Sequence, residues 1–267
     1  MSTASTVPST PAPGPVPAPA LARYVIGLGD DALVLSHRLA EWITRAPQLE
    51  EDMALANISL DLLGQARTLL TYAGQVQGHG RSEDDLAYLR SEREFTNVQL
   101  VEIPNGDFAV TIARQLIFSA YQFELYSALV GAQDATLAAL AAKAVKEVDY
   151  HRDHAAQWTL RLGDGTELSH ARMQAALEAT WPYVEELFDP AEIADELLAL
   201  PGIAVDPDTL RGGCSDYLRP VLVQATLTEP QPIRRSRGGR RGLHTEHLGH
   251  LLADMQSLHR AHPGVRW

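Results

Sequence analysis

The sequence predicts an all-α protein, and three properties of its 267 residues support that fold class. Hydrophobic residues make up 45% of the chain but aromatic residues only 6%, because Ala and Leu dominate the apolar fraction. Ala and Leu favour helices, whereas the β-branched and aromatic residues that favour strands are sparse. Apolar residues also recur at helical spacing in several long segments. Those segments end at Gly, Pro, Asn and Asp, which are typical of turns.

Four of these segments are predicted to form a bundle, at about residues 22–43, 49–77, 108–130 and 135–162. Leu28, Leu35 and Leu39 illustrate the period in the first, and Asp134 is the expected N-cap of the fourth. Two of the segments are far longer than the mean helix of about 11–12 residues. The link between the second and third is the longest, which predicts a ferritin-like antiparallel bundle with one crossover connection.

The rest of the chain is expected to surround the bundle. A short helix is predicted near residues 83–93, and further helices near 172–188, 191–200, 208–227 and 245–261. Residues 21–267 are therefore predicted to form a single ferritin-like helical domain. Residues 1–20 are rich in Pro, Ala, Ser and Thr and lack the charged and apolar regions of a signal peptide, so a disordered tail is expected there.

Charge and composition exclude several function classes. The formal charge is −12, which disfavours binding to nucleic acids and to anionic membranes, because phosphate contacts need clustered Lys and Arg. No apolar run approaches the roughly 18 residues that a spanning helix needs. A single cysteine, Cys214, excludes an intrachain disulfide and fits a reducing cytoplasm.

The metal-binding pattern of a ferritin-like di-iron bundle is incomplete in this sequence. Such proteins take a Glu from each of two helices and a Glu-x-x-His pair from each of the other two. The second predicted helix has no histidine, since none occurs between His37 and His79. In the fourth, Glu147 and His151 are four residues apart, and the residue three before His151 is Val148.

Other histidines are weaker candidates for metal binding. One Glu-x-x-His match, Glu167 to His170, follows a turn outside the four long helices, where a first-turn acid and a surface His are expected. His244, His247 and His250 are spaced by three residues, so the third lies about 120° round a helix from the first. We expect an ordered helix start there, capped by a Thr at position 245, rather than a metal site.

Three segments resemble a known family: residues 41–47 (EWITRAP), 57–67 (NISLDLLGQAR) and 242–249 (GLHTEHLG). They are similar to the phenylacetate-degradation protein C family, and the similarity runs from about Leu21 to Trp267. That family is the non-catalytic subunit of the phenylacetyl-CoA epoxidase. The resemblance therefore implies a structural subunit of a ring-epoxidising oxygenase complex in aerobic phenylacetate catabolism, which is not an enzyme by itself.

The resemblance also implies partners and cofactors. The expected partners are a homologous catalytic A subunit with a di-iron site, a small B subunit, and a reductase that carries flavin and an iron–sulfur cluster. Together they would form the 1,2-epoxide of phenylacetyl-CoA. No cofactor is expected in the present chain.

Alignment with the catalytic subunit, anchored on residues 42–47, implies that most iron ligands are replaced here. Ligand carboxylates correspond to Leu39, Leu62 and Val148, the second-helix His corresponds to Gln65, and His151 is retained. The predicted degenerate metal site comprises Leu39, Leu62, Gln65, Glu124, Val148 and His151. We expect its polar members to form a hydrogen-bonded cluster, which Asp61 would join.

Two further interpretations remain open. The first is an independent ferritin-like di-iron or mononuclear metal oxidoreductase with ligands in another register. The second is a stand-alone regulatory bundle. In addition, the Arg-rich stretch 234–241 is compatible with binding the phosphates of an acyl-CoA, although a mobile, solvated loop is the expectation.

Overall fold

The computed structural model describes residues 16–200, 202–231 and 234–265, and all regular secondary structure in these ranges is helical. The helices in chain order are α1 (Ala18–Ala40), α2 (Leu49–Gln77), α3 (Glu83–Tyr88), α4 (Gln99–Glu102), α5 (Phe108–Leu129), α6 (Ala135–Gly163), α7 (Glu167–Thr180), α8 (Asp195–Leu198), α9 (Arg211–Gln224) and α10 (Glu246–Ala261). The predicted all-α class is confirmed.

Helices α1, α2, α5 and α6 form the ferritin-like bundle. Pairs α1/α2 and α5/α6 pack along their lengths as antiparallel hairpins, and α2 also contacts α6. Trp42, just after α1, donates a hydrogen bond to Thr111 in the first turn of α5, so α1 and α5 run in opposite directions. Consequently α2 and α5 run parallel, and residues 78–107 cross the bundle lengthwise between them, as predicted.

The bundle helices begin and end at residues with specific capping chemistry. Asp107 caps α5 by accepting a hydrogen bond from the backbone N–H of Val110. Asp134 caps α6 by accepting from the N–H groups of Thr136 and Leu137, which confirms the predicted N-cap. Gly78 ends α2 in the left-handed conformation, with φ of 68°, which glycine adopts without steric cost.

The N-terminal prediction is partly wrong. Residues 1–15 of the predicted disordered tail lie outside the described residues, but Ala18–Ala20 already belong to α1. Proline is tolerated in a first helical turn, and Ala20 is buried in the core, so packing orders this end of the predicted tail. At its other end, α1 stops at Ala40 and a turn replaces its predicted last residues.

Other helix bounds also differ from prediction. Helix α3 ends at Tyr88 instead of near residue 93. Helix α7 begins at Glu167, with a capping box between Thr166 and Ser169, and ends at Thr180. Residues 181–188 were predicted to continue this helix, but Trp181–Phe188 form a 3-10 turn instead. The α-helix ends there because Pro182 lacks the backbone N–H that an α-helix needs.

One cluster of buried apolar residues extends from Ala20 to Leu252 and unites the bundle with the C-terminal helices. Helix α7 packs on α5, α9 packs on α5 and α6, and α10 packs on α3 and α1. None of the helices in the described ranges combines the length and apolar character needed to cross a membrane.

Candidate functional site

The three apolar members of the predicted degenerate site are buried. Leu39 of α1, Leu62 of α2 and Val148 of α6 each have 0% exposure. The resemblance to the protein C family implies that these positions correspond to ligand carboxylates in the catalytic subunit. Alkyl groups offer no lone pair to a metal, so three of the predicted positions contribute packing alone.

Gln65, the predicted replacement of a ligand histidine, is buried and its amide is hydrogen-bonded on both sides. Its Nε2 donates to Glu147 Oε2 at 3.0 Å, and its Oε1 accepts from the Tyr126 hydroxyl at 3.1 Å. Glu147 is held in turn by Lys143, with Nζ 2.9 Å from Oε1. The amide thus joins α2, α5 and α6 through ordinary hydrogen bonds, and burial raises the pKa of the Tyr126 hydroxyl well above its usual range.

His151, the predicted surviving ligand, is 1% exposed and lies against α2. Its Nε2 is 3.1 Å from Asp61 Oδ2. The predicted single cluster is therefore divided in two, because Gln65 bonds Glu147 and Tyr126 instead of His151. One turn further along α6, His154 Nε2 lies 2.8 Å from Glu51 Oε2. Both imidazoles therefore bridge α6 to a carboxylate on α2.

Glu124 does not join this cluster, which corrects that part of the prediction. Among the hydrogen bonds of the described residues, it makes none with Gln65 or His151. Its carboxylate instead lies against α9, where a Cβ added to Gly213 would come within 2.4 Å of it. Cys214, next to that glycine, is buried, and burial together with the Glu124 charge raises the pKa of its thiol to about 12.

No group of three or more His, Cys, Asp and Glu side chains in the described ranges has a metal-binding arrangement. Glu167 does lie in the first turn of α7, while His170 Nδ1 donates to the Gly163 carbonyl at 2.8 Å. The His244 side chain is fully buried: its Nδ1 is 2.7 Å from Glu102 Oε2 and its Nε2 is 2.9 Å from the Phe95 carbonyl. Burial alone would lower the pKa of His244, but the hydrogen bond and charge of Glu102, the Phe95 carbonyl and the charge of Asp30 together raise it.

Thr245 occupies the predicted N-cap position of α10, but its hydroxyl makes no capping bond. That hydroxyl is buried without a hydrogen-bond partner among the described residues. The backbone N–H of Thr245 donates to Glu102 Oε1 instead. The start of α10 is therefore ordered by the crossover segment, which contains Glu102, rather than by its own cap.

The Arg-rich stretch is attached to the bundle at Arg240, contrary to the expected solvated loop. Arg240 pairs with buried Asp31 of α1, with Nη2 2.5 Å from Oδ2, and donates to the carbonyls of Gly27 and Thr96. Its neighbours are more exposed: Arg235 pairs with Glu185 and Arg237 with Asp189. Burial raises the pKa of Asp31 to about 6, against the opposing charge of Arg240.

A second buried pair joins the same region. Arg90, at the end of the α3 segment, pairs with Asp30 of α1, and the Asp30 carboxylate also accepts from the Thr96 N–H at 2.8 Å. This pair and the Arg240–Asp31 pair form a buried ionic layer that was not predicted from the sequence. Two adjacent aspartates, Asp30 and Asp31, lie within an otherwise apolar stretch of α1. Because a buried carboxylate requires a cationic partner, this pattern predicts that Arg or Lys side chains from elsewhere in the chain pair with them.

The fold defines this protein as a ferritin-like helical bundle. The chain belongs to the family of phenylacetic acid catabolic proteins, whose sequence profile matches residues 7–267. It is 50% identical over 247 residues to the C subunit of the 1,2-phenylacetyl-CoA epoxidase of Escherichia coli (strain K12), covering 92% of this chain and 99% of that protein.

Proposed function

We propose that this chain is the non-catalytic structural subunit of a phenylacetyl-CoA 1,2-epoxidase complex in aerobic phenylacetate catabolism. The observation that carries the proposal is that Leu39, Leu62 and Val148, which the family resemblance implies are former ligand positions, are apolar and fully buried. The name of the Escherichia coli relative, which is similar along nearly its whole length, supports the subunit role.

The residues present do not fit the di-iron group that ferritin-like oxygenases use. A di-iron site needs several inward carboxylates and imidazoles, and hard oxygen ligands are what iron prefers. Among the six positions predicted for the degenerate site, the buried polar residues are Gln65 and His151, and each is already bonded to a side chain of a neighbouring helix. No catalytic step is therefore assigned to this chain, and it would carry no cofactor.

The chemistry would then belong to a partner. The proposed partners are a catalytic A subunit that holds two irons, a small B subunit, and a flavin and iron–sulfur reductase, in the cytoplasm. This chain would contribute a rigid helical surface that keeps the four-helix site of the A subunit in register. Its long helices and its buried ionic layer suit that role, because both resist deformation when a partner binds.

Metal analysis tests the non-catalytic part of the proposal. The chain would be purified after growth with excess iron and then incubated anaerobically with ferrous iron. We expect far less than one iron per chain, because the ligand positions are apolar. The catalytic subunit, treated in the same way, is the positive control. Two irons per chain would contradict the proposal and favour an independent di-iron oxidoreductase.

Reconstitution tests the subunit part. The catalytic subunit would be purified alone and with this chain, and epoxidation of phenylacetyl-CoA would be measured with the B subunit and reductase added. We expect turnover only when both bundles are present, and none with this chain as the only bundle. Equal turnover without this chain would show that it is not a required subunit.

A further inference from the structure

Helix α2 has an apolar outer face in addition to its buried one. Its inner residues Leu55, Ile58, Leu62 and Leu69 are all 0% exposed. On the opposite side, Leu49, Met53 and Leu60 are 73%, 61% and 63% exposed. At about 100° per residue, these three side chains lie within an arc of about 40°. They therefore form one continuous stripe, which we call the α2 face.

The α2 face also lacks charge along its middle. Its positions between Met53 and Gly64 are Ala56, Asn57, Leu60 and Leu63. Asp61 points sideways to His151. A helix on a protein surface normally carries charged residues on its outer side. Helix α6 does so, with exposed Lys143, Lys146, Asp149 and Asp153. The contrast indicates that something other than water covers α2.

A groove adjoins the α2 face on the side of α6. Gly64 and Thr68 of α2 line it together with Ala135, Ala139 and Leu140 of α6. A Cβ added to Gly64 would meet no atom within 4 Å, so the groove is open at that point. A side chain from another helix that packs on the α2 face can enter this groove beside Gly64.

Charged residues border the α2 face near the two ends of the helix. Exposed Glu50 lies in the first turn of α2, beside the stripe, about 100° round the helix from Leu49. Arg67, whose side chain is 70% exposed, lies in line with the stripe about 26 Å beyond Glu50. The ion pair that Arg67 makes with Glu83 is long, at 3.6 Å. The middle of the α2 face is therefore left without charge.

We propose that the α2 face and its groove dock the catalytic subunit of the complex, through a helix that presents apolar side chains to this face. This inference rests on the proposed function, because it takes the partner from there. It adds the surface of contact.

Paired substitutions test the surface. Met53→Glu with Leu60→Glu places two charges in the α2 face. The matched control, Leu168→Glu with Val223→Glu, changes residues that are 62% and 70% exposed on α7 and α9. Affinity for the tagged catalytic subunit would be measured by titration, after thermal melts show that both variants fold. We expect the α2 variant to bind at least ~10-fold more weakly and the control to bind like the wild type.

Thiol protection gives a second, independent readout. The native Cys214 is 2% exposed, so a surface thiol introduced by Leu60→Cys is the preferred target of a maleimide. We expect its labelling to slow at least ~10-fold in the complex, whereas the thiol from Val223→Cys should react at the same rate with and without the catalytic subunit.

The outcomes separate the inference from the proposed function. If the wild-type chain does not bind the catalytic subunit, the proposed function fails. If it binds but the α2 variant binds equally well, or the thiol at position 60 stays reactive in the complex, this inference alone fails. A homodimer through α2 that persists in the complex would also overturn it, because a second copy would then be the occupant.

Discussion

His151 is the residue where a structural and a catalytic role are most easily confused. The family resemblance predicts it to be a retained ligand residue, yet it is buried and bonded to Asp61 of α2. We expect His151→Ala to lower the free energy of unfolding by about 1–3 kcal/mol, because it leaves a cavity and an unpaired carboxylate. Turnover per assembled complex should stay near wild type.

Chemical denaturation and activity assays on purified complex would measure the two effects separately. Asp61→Asn is the control: it keeps the size of the side chain and an oxygen that can accept from the imidazole, so a smaller loss is expected. A large fall in turnover, with assembly and stability intact, would instead assign His151 a part in the reaction.

Arg240 is the second residue whose role can be isolated. Its guanidinium is paired with Asp31, whose side chain is only 3% exposed. We expect Arg240→Met to cost about 3–5 kcal/mol, since it leaves a buried carboxylate without its cation. Adding Asp31→Asn should recover part of that loss, because the neutral amide can still accept from the Val98 N–H.

The comparison for Arg240 is Arg235→Met. Arg235 is 55% exposed and its pairing with Glu185 is screened by solvent, so about 0–1 kcal/mol is expected. Urea denaturation of the wild type and the three variants measures all of these values. Equal losses for the two arginine variants would contradict a special role for the buried pair.

At the scale of the elements, helical periodicity predicted α2, α5 and α6 almost residue for residue, because their long apolar stripes and their Asp and Gly ends are local signals. The ends of α1 and α7 were not predictable in the same way. Burial of Ala20 extends α1 into a Pro- and Ala-rich stretch, and Pro182 turns the end of α7 into a 3-10 turn. Tertiary packing decides such ends.

The site was predicted unevenly for the same reason. Leu39, Leu62 and Val148 each lie on the apolar stripe of a long helix, so local periodicity is enough to predict that they are buried. Glu124 also lies on a long helix, but its carboxylate lies against Gly213 of α9, a contact that no local pattern in α5 predicts. The pairing of Arg240 with Asp31 joins residues 209 apart, and no local pattern selects one of five arginines for it.

Two glycines of α2 allow a matched test of the packing between elements. A Cβ on Gly74 would lie 2.2 Å from the Arg81 carbonyl, whereas one on Gly64 would meet nothing within 4 Å. We expect Gly64→Ala to stabilise the isolated chain by up to about 1 kcal/mol, through helix propensity. Gly74→Ala should destabilise it by more than that, since the α2–α3 turn must move. Thermal melts measure both effects. If both variants melt above the wild type, or both below it, the result would contradict this packing.

At the scale of the whole molecule, Glu186 holds three distant segments together. Its carboxylate accepts hydrogen bonds from the backbone N–H groups of Gln99 and Gly239, each at 2.6 Å. Burial raises the pKa of Glu186 to about 7, despite those two bonds and the Arg240 charge. The folded protein thus binds a proton more tightly than the unfolded chain between about pH 4.5 and 7.

Stability should therefore fall as the pH rises through that window. A raised folded-state pKa means that more protons are bound in the native state, so the free energy of unfolding decreases with pH. The raised pKa of Asp31, at about 6, acts in the same direction. Between pH 5 and 8, we expect the free energy of unfolding of Glu186→Gln to fall less than that of the wild type, by on the order of 1–3 kcal/mol. Parallel slopes for wild type and variant would rule out Glu186 as the source.

The pairing of Asp31 with Arg240 also has a consequence for how the chain folds during synthesis. The two residues are 209 positions apart. At about 5–20 residues per second, a ribosome releases Arg240 roughly 10–40 s after Asp31. Throughout that interval the nascent α1 helix carries a carboxylate whose buried position has no cation, so the bundle cannot close around it at low cost. A truncated mRNA that ends before codon 240 would yield a chain that never acquires Arg240. Such a chain would not fold stably, and we expect cellular proteases to degrade it.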